Sequence, residues 1–265
     1  MNKLKTALTI AGTDPSGGAG IMADLKTFQA REVYGMGVIT SVIAQNTVGV
    51  QKIVNMDCEF IEEQLKSVFS DIMPDVVKTG MIADSDMMGI IKKYMSENIP
   101  YVVDPVMIAT SGDRLINKNA IEYLKKDILP LATIITPNLL EAEELTGIKV
   151  KSEKDILAAG EFILKKLKVK NAVIKGGHLE KDAIDYLFLE NGEVKKFSSR
   201  RFETVHTHGT GCTFSAVIAA ELAKKKSIEE AVRIAKEFIS KAIEFSPCLG
   251  KGNGPVNHII YKEEL

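Results

Sequence analysis

Six short apolar runs recur along the chain, and most of them do not alternate with polar residues: 7–12 (ALTIAG), 36–44 (MGVITSVIA), 74–80 (PDVVKTG), 100–104 (PYVVD), 132–137 (ATIITP) and 171–177 (NAVIKGG). Runs this short and this rich in Val and Ile are strands buried on both faces. Helix-length segments of mixed polarity at 58–70, 84–98, 117–127, 138–146 and 152–168 lie between most of them. Strand–helix alternation of this kind predicts an α/β fold, a central, mainly parallel sheet with helices on both faces. The pattern changes at 184–197 (IDYLFLENGEVKKF), where Asn191-Gly192 between two strand-like runs predicts an antiparallel hairpin. Two helices close the chain. One starts near Gly211; the other covers 228–245, with Ile228, Ala231, Ala235, Phe238, Ile239, Ala242 and Phe245 on one face. No linker, repeat or low-complexity stretch interrupts residues 1–265, so a single domain is expected.

A net charge of −1 offers no basic field to nucleic acid or to an anionic membrane. Cys58, Cys212 and Cys248 are far apart and lack metal-ligand spacing, which argues against a disulfide framework and a zinc site. A strand-like run begins within a few residues of Met1 with no signal peptide ahead of it, and no apolar run is long enough to span a bilayer. A cytoplasmic location is the expectation.

Gly12–Gly20 (GTDPSGGAG) joins the first strand to the first helix and nearly matches two phosphate loops. The nucleotide P-loop needs Lys and then Ser or Thr after its second glycine; here those positions are Gly18 and Ala19. The dinucleotide fingerprint needs an acid at the end of the next strand, and AQNTVGV supplies none. A glycine-rich strand-to-helix turn accounts for the glycines. Asp14 reads as a turn residue. Asp24, one turn into the helix, is placed to face a ligand at the strand C-termini.

The stronger signal is Gly209-Thr210-Gly211-Cys212, which opens an apolar helix. Backbone N–H groups there lack internal partners and attract an anion. Cys212 falls in the first turn, where the helix dipole lowers a thiol pKa. A fall of about 1.5 from 8.5 would leave half of it ionised at pH 7. It could then act as general base toward a substrate hydroxyl. The alternative is a small buried hydrophobe; the glycines directly before it favour the functional role.

Lys78 and Lys175 end strand-like runs, where each could reach phosphate oxygens or snorkel to solvent; Lys175 leans to function and Lys78 is even. Asp104, after VV, could hold Mg²⁺ directly or through water. Asn138 and Glu141 share one face of a helix start, and a capping box accounts for both without any ligand. His178, His206 and His208 lack helical ligand spacing.

Seven stretches, ALTIAGTDPSGGAGIMADLKTF, VITSVIAQNTVGV, KTGM, VVDPVM, IITPNLLEAEEL, IKGGHL and HGTGCTFSA, occur in this order. Over nearly its whole length the chain resembles the hydroxymethylpyrimidine/phosphomethylpyrimidine kinases of thiamin biosynthesis, in the ribokinase-like superfamily. The resemblance implies a ribokinase-like kinase domain and two ATP-dependent phosphorylations, of 4-amino-5-hydroxymethyl-2-methylpyrimidine and then of its monophosphate. It implies a pyrimidine bracketed by Gly12, Asp24, Gln45, Met81, Val106 and Cys212, with Gln45 hydrogen-bonding the aminopyrimidine edge. Gly209, Thr210 and Gly211 would form the anion hole before the base Cys212, which takes the place of the superfamily's usual Asp. Asn138, Glu141 and Lys175 would serve ATP, and Asp104 with Glu141 would serve Mg²⁺. A homodimer follows from family habit. Related pyridoxal kinases resemble this chain but carry a second cysteine in the lid; here the lid reads IATSGDRL, with Ala109 and Thr110, which weakens a pyridoxal or pyridoxine kinase reading. A non-catalytic binder of a thiamin precursor is the other alternative, and the intact GTGC and KGGH stretches argue against it.

Overall fold

A computed structural model describes residues 4–107, 116–176 and 182–259. The elements follow in the order β1 (Thr6–Gly12), α1 (Gly20–Ala30), β2 (Tyr34–Asn46), β3 (Gly49–Asn55), α2 (Cys58–Asp71), β4 (Val76–Thr79), α3 (Ser85–Lys92), β5 (Tyr101–Val103) and α4 (Lys118–Tyr123). After them come β6 (Ile134–Ile135), α5 (Leu139–Thr146), α6 (Glu153–Lys166), β7 (Ala172–Lys175), β8 (Asp182–Phe188), β9 (Val194–Arg200), α7 (Thr210–Ala223) and α8 (Ile228–Glu244). The strands form one sheet in the order β3-β2-β1-β4-β5-β6-β7-β8-β9. The run from β2 to β7 is parallel, and β3, β8 and β9 add antiparallel edges.

The unalternated runs are explained by two cores, one on each face of the sheet. Successive strand residues point to opposite faces, and here both faces are apolar. Leu8, Val77, Val103, Ile135 and Ile174 enter the core covered by α2 to α6. Their neighbours Ala7, Val76, Val102, Ile134 and Val173 enter the core covered by α1, α7 and α8. α7 is buried at every position from Thr213 to Ala223, which matches its apolar, weakly sided sequence.

The expected strands, the hairpin and both closing helices are present, with four differences. The first hairpin, β2–β3, replaces an expected simple strand end: the chain turns at Thr47 and Val48 and returns antiparallel. Its returning strand is mostly exposed, so it has no buried apolar face to announce it. The segment 84–98 is helical only to Lys92, and 132–137 supplies just two ladder residues. Phe245 leaves the α8 face, 48% exposed, because the helix ends one residue earlier.

Candidate active site

The C-terminal ends of β1, β4, β5, β6 and β7 converge on the N-terminus of α7. Six of the eight described α-helices are capped by an Asp, Asn or Ser side chain. The other two, α1 and α7, begin at the two glycine loops and have no side-chain cap. Thr210 N–H donates to Thr207 O (3.2 Å), and the amides of Gly211 and Cys212 that follow it are left for another acceptor. Gly209 is its cap residue at φ 78°, a left-handed conformation that glycine adopts without strain.

Beneath this helix start lies a string of buried charges. Asp104 is 1% exposed; its Oδ1 accepts from Thr136 Oγ1 (3.1 Å) and Lys175 Nζ (3.4 Å), and its Oδ2 from Ser215 Oγ (3.3 Å). A Cβ placed on Gly211 would stand 3.3 Å from Lys175 Nζ and 3.7 Å from Asp104 Oδ2. The glycine thus lets the backbone of the helix start approach both charges. Burial works to lower the Lys175 pKa, but Asp104 and Glu141 outweigh it, so the ammonium is held charged.

Glu141 makes the capping box: its carboxylate accepts from Asn138 N–H (2.8 Å), and Asn138 Oδ1 accepts from Glu141 N–H (2.9 Å). The bland account of this pair is therefore correct, and it is incomplete. Burial pushes the Glu141 carboxyl up to about 7, with Asp104 adding repulsion, against Lys175 and the N–H groups of Asn138 and Met107. Two carboxylates that repel each other across one lysine suit a cation, and oxygen ligands supplemented by water suit Mg²⁺. Among the described residues, no group of three or more His, Cys, Asp or Glu is gathered for a metal. Asp104 and Glu141 would therefore serve such an ion jointly with phosphate oxygens and water.

Lys78 and Asp24 form a second buried pair. Both are 0% exposed, with Lys78 Nζ 2.8 Å from each Asp24 oxygen and Thr9 Oγ1 donating to Oδ2 at 2.6 Å. Snorkelling is thereby excluded for Lys78. Asp24 faces its ion-pair partner rather than an opening.

Cys212 departs most from expectation. It is half-buried, and burial pushes its thiol up to about 11, reinforced by Asp24 and Asp104. Lys78 and the backbone of Gly20 act in the other direction. The expected fall toward neutrality does not occur, because loss of solvation and two carboxylates outweigh the helix N-terminus and one lysine.

The remaining expected residues ring the same place. Gly12 ends β1; a Cβ there would stand 3.0 Å from Ile43 Cδ1, and a Cβ on Gly20 would meet Gly12 O at 2.3 Å. Met81 is buried just after β4, and Val106 is half-buried after β5. Gln45 lies farther along β2, half-buried, in register with Val50. Ala109, Thr110 and His178 lie outside the described residues. Asp14 is the turn residue expected, its carboxylate accepting from Ser16, Gly18 and Ala19, while the sequence offers no role for Thr136 and Ser215. For His208 the signal is its place directly before Gly209; metal-ligand spacing, which it lacks, does not reveal its bond to Asp14.

Residues 14–257 match the profile of the family described as phosphomethylpyrimidine kinase. The chain is 55% identical over 265 residues to the hydroxymethylpyrimidine/phosphomethylpyrimidine kinase of Staphylococcus aureus (strain MRSA252), covering 98% of this chain and 96% of that one. Among solved structures it is similar to the phosphomethylpyrimidine kinase of Clostridium difficile 630, with TM-score 0.80, 44% identity, and 90% and 99% of the two chains covered. It is also similar to the Bacillus subtilis pyridoxal kinase in its ADP complex, with TM-score 0.89, 39% identity, and 97% and 98% covered.

Proposed function

The chain belongs to the phosphomethylpyrimidine kinase family, and from that premise we infer which of its residues carry the transfer. It is a phosphotransferase of thiamin biosynthesis, using ATP to phosphorylate 4-amino-5-hydroxymethyl-2-methylpyrimidine and then its monophosphate. The observation that carries the assignment of roles is the uncapped start of α7, standing over Lys175 and Asp104.

The pyrimidine lies between Gly12, Met81, Val106 and Cys212, with Gln45 hydrogen-bonding its amino edge; the fully buried Asp24–Lys78 pair acts on Cys212 through its charges. Phosphoryl transfer needs positioning and charge neutralisation more than covalent chemistry. As the substrate hydroxyl oxygen forms its bond to the γ-phosphorus of ATP, the bond from that phosphorus to ADP breaks and ADP leaves, while the thiolate form of Cys212 takes the hydroxyl proton. The N–H groups of Gly209, Gly211 and Cys212 receive the charge on the transferring group, and Thr210, whose own N–H is held by Thr207 O, shapes the hole between them. Lys175 neutralises phosphate as a point charge, and Asn138 and Glu141 form the nucleotide side. Mg²⁺, when bound, would be held by Asp104 and Glu141 through water and would offset phosphate charge.

The same reading has a single kinase domain over 1–265 acting as a cytoplasmic homodimer without a nucleic-acid partner. The net charge of −1 supports the last point. No described helix is long and apolar enough to cross a membrane. Val42, Val48 and Val54, 47%, 69% and 49% exposed on the β2–β3 hairpin, support association between copies.

The test is ADP release against hydroxymethylpyrimidine, its monophosphate, pyridoxal and pyridoxine, with Cys212→Ala alongside. Both pyrimidines should turn over best. Cys212→Ala should lose about 10²–10⁴-fold in kcat, the range of a general base, with KM within a few-fold. An unchanged kcat removes Cys212 as base, and preference for pyridoxal removes the pyrimidine reading.

A further inference from the structure

Asp14 and His208 stand 194 residues apart in sequence, and the roles assigned above use neither. Asp14 is completely buried, and its carboxylate collects five donors. Oδ1 accepts from Ser16 N–H (2.9 Å) and Ser16 Oγ (2.7 Å); Oδ2 accepts from Gly18 N–H (3.1 Å) and Ala19 N–H (2.8 Å). Those four bonds would suffice for a turn. The fifth, at 2.7 Å, comes from His208 Nε2, in the residue immediately before Gly209-Thr210-Gly211-Cys212. Burial works to raise the Asp14 pKa, but the bonds from His208 and Ser16 outweigh it and bring it to about 2. The acid is therefore ionised at any working pH, and Nε2 must carry the proton and donate.

The two glycine loops touch through backbone at this point. A Cβ on Gly209 would lie 1.7 Å from Gly18 O, and one on Gly18 would lie 2.5 Å from His208 Cδ2. His208 is anchored from behind as well: its N–H donates to Gly254 O (3.0 Å), and its carbonyl accepts from Val256 N–H (3.3 Å). Its ring thus acts as a strut between a fixed backbone and the first loop. That loop ends at Gly20, the first residue of α1. The loops consequently meet twice, at the His208–Asp14 bond and where Gly209 closes on Gly18 O.

We propose that Asp14 and His208 are positioning residues, a latch that sets the anion hole and Cys212 against the loop holding the pyrimidine. This rests on reading Gly209–Cys212 as the transfer site. Anion-hole donors act within a few tenths of an ångström, and a misplacement of about 1 Å can cost about 10²-fold in rate. A latch should therefore affect kcat rather than pyrimidine binding.

The experiment is steady-state kinetics with hydroxymethylpyrimidine for wild type, His208→Ala, His208→Gln, Asp14→Asn and the His208→Ala/Asp14→Asn double variant. Each is normalised to folded protein by circular dichroism and assayed well below its own Tm. His208→Ala should lose about 10- to 100-fold in kcat with KM within about threefold. His208→Gln, which keeps an N–H donor, should recover much of that loss. The double variant should be little worse than the worse single variant, since both remove one bond. Wild-type kcat in His208→Ala, multiplied losses in the double variant, or no recovery with Gln would each overturn the latch. Should His208→Ala not fold, Asp14→Asn is held to the same kcat and KM split. Cys212→Ala in the same series keeps the two ideas apart: loss there without loss at His208 overturns the latch alone.

Discussion

The high pKa of Cys212 makes a quantitative prediction about its reactivity. At about 11, pushed there by burial against Asp24 and Asp104, the thiol of the ligand-free enzyme is about one part in 10³ ionised at pH 8. An ordinary thiol of pKa 8.5 is about one quarter ionised at that pH. Only the thiolate is alkylated, so Cys212 should react with iodoacetamide about 200-fold more slowly than an ordinary thiol. Slow reaction alone could reflect restricted access, and the pH dependence separates the two causes. Between pH 8 and 9 the Cys212 rate should rise about tenfold, whereas that of an ordinary thiol rises about threefold and then levels. The assay is timed alkylation, quenched and read by peptide mass spectrometry, with exposed Cys248 reporting reagent activity in the same sample. Lys78→Met removes a cation that favours the thiolate and should lower the Cys212 rate at every pH. The same ionisation should govern turnover. If the thiolate is the base, kcat/KM for the pyrimidine, which reports the free enzyme, climbs toward tenfold per pH unit from 7 to 9. A Cys212 rate that levels off below pH 9, or a flat kcat/KM profile, refutes the reasoning.

Two further outcomes follow from the buried charges. Lys78→Met strands the Asp24 carboxylate without its partner, so stability should fall by about 3–5 kcal/mol in urea unfolding, and adding Asp24→Asn should restore most of it; a double variant no more stable than Lys78→Met contradicts a pair-specific cost. Glu141 is an acid whose folded pKa, about 7, lies above its unfolded value of 4.5, so its ionised form opposes folding and the ligand-free enzyme loses stability as pH rises from about 4.5 through 7. Glu141→Gln should therefore raise Tm at pH 8 while lowering kcat, and a Tm that falls at pH 8 would contradict the assignment.

Much of the fold was legible in the sequence because it depends on local spacing. Val76 and Val77, or Val173 and Ile174, are adjacent and both apolar, and only a strand covered on both faces buries such neighbours. Asn191-Gly192 marks its hairpin within four residues. The helix start at Gly209–Cys212 could be read the same way, since unpaired amides follow from helix geometry wherever the glycines stand. The β3 edge was not legible, because an exposed strand carries no burial pattern.

What the tertiary structure alone decided is which charge meets which. Asp24 finds Lys78 across 54 residues, Asp104 finds Lys175 across 71, and Asp14 finds His208 across 194. No periodicity encodes those pairings; they follow from strand order and from which loop ends stack at one sheet edge. The state of Cys212 is the sharpest instance. Its sequence position places it at a helix N-terminus, which favours the thiolate. Folding then takes it partly out of water and sets it beside two carboxylates, and the lost solvation exceeds what the helix and Lys78 supply.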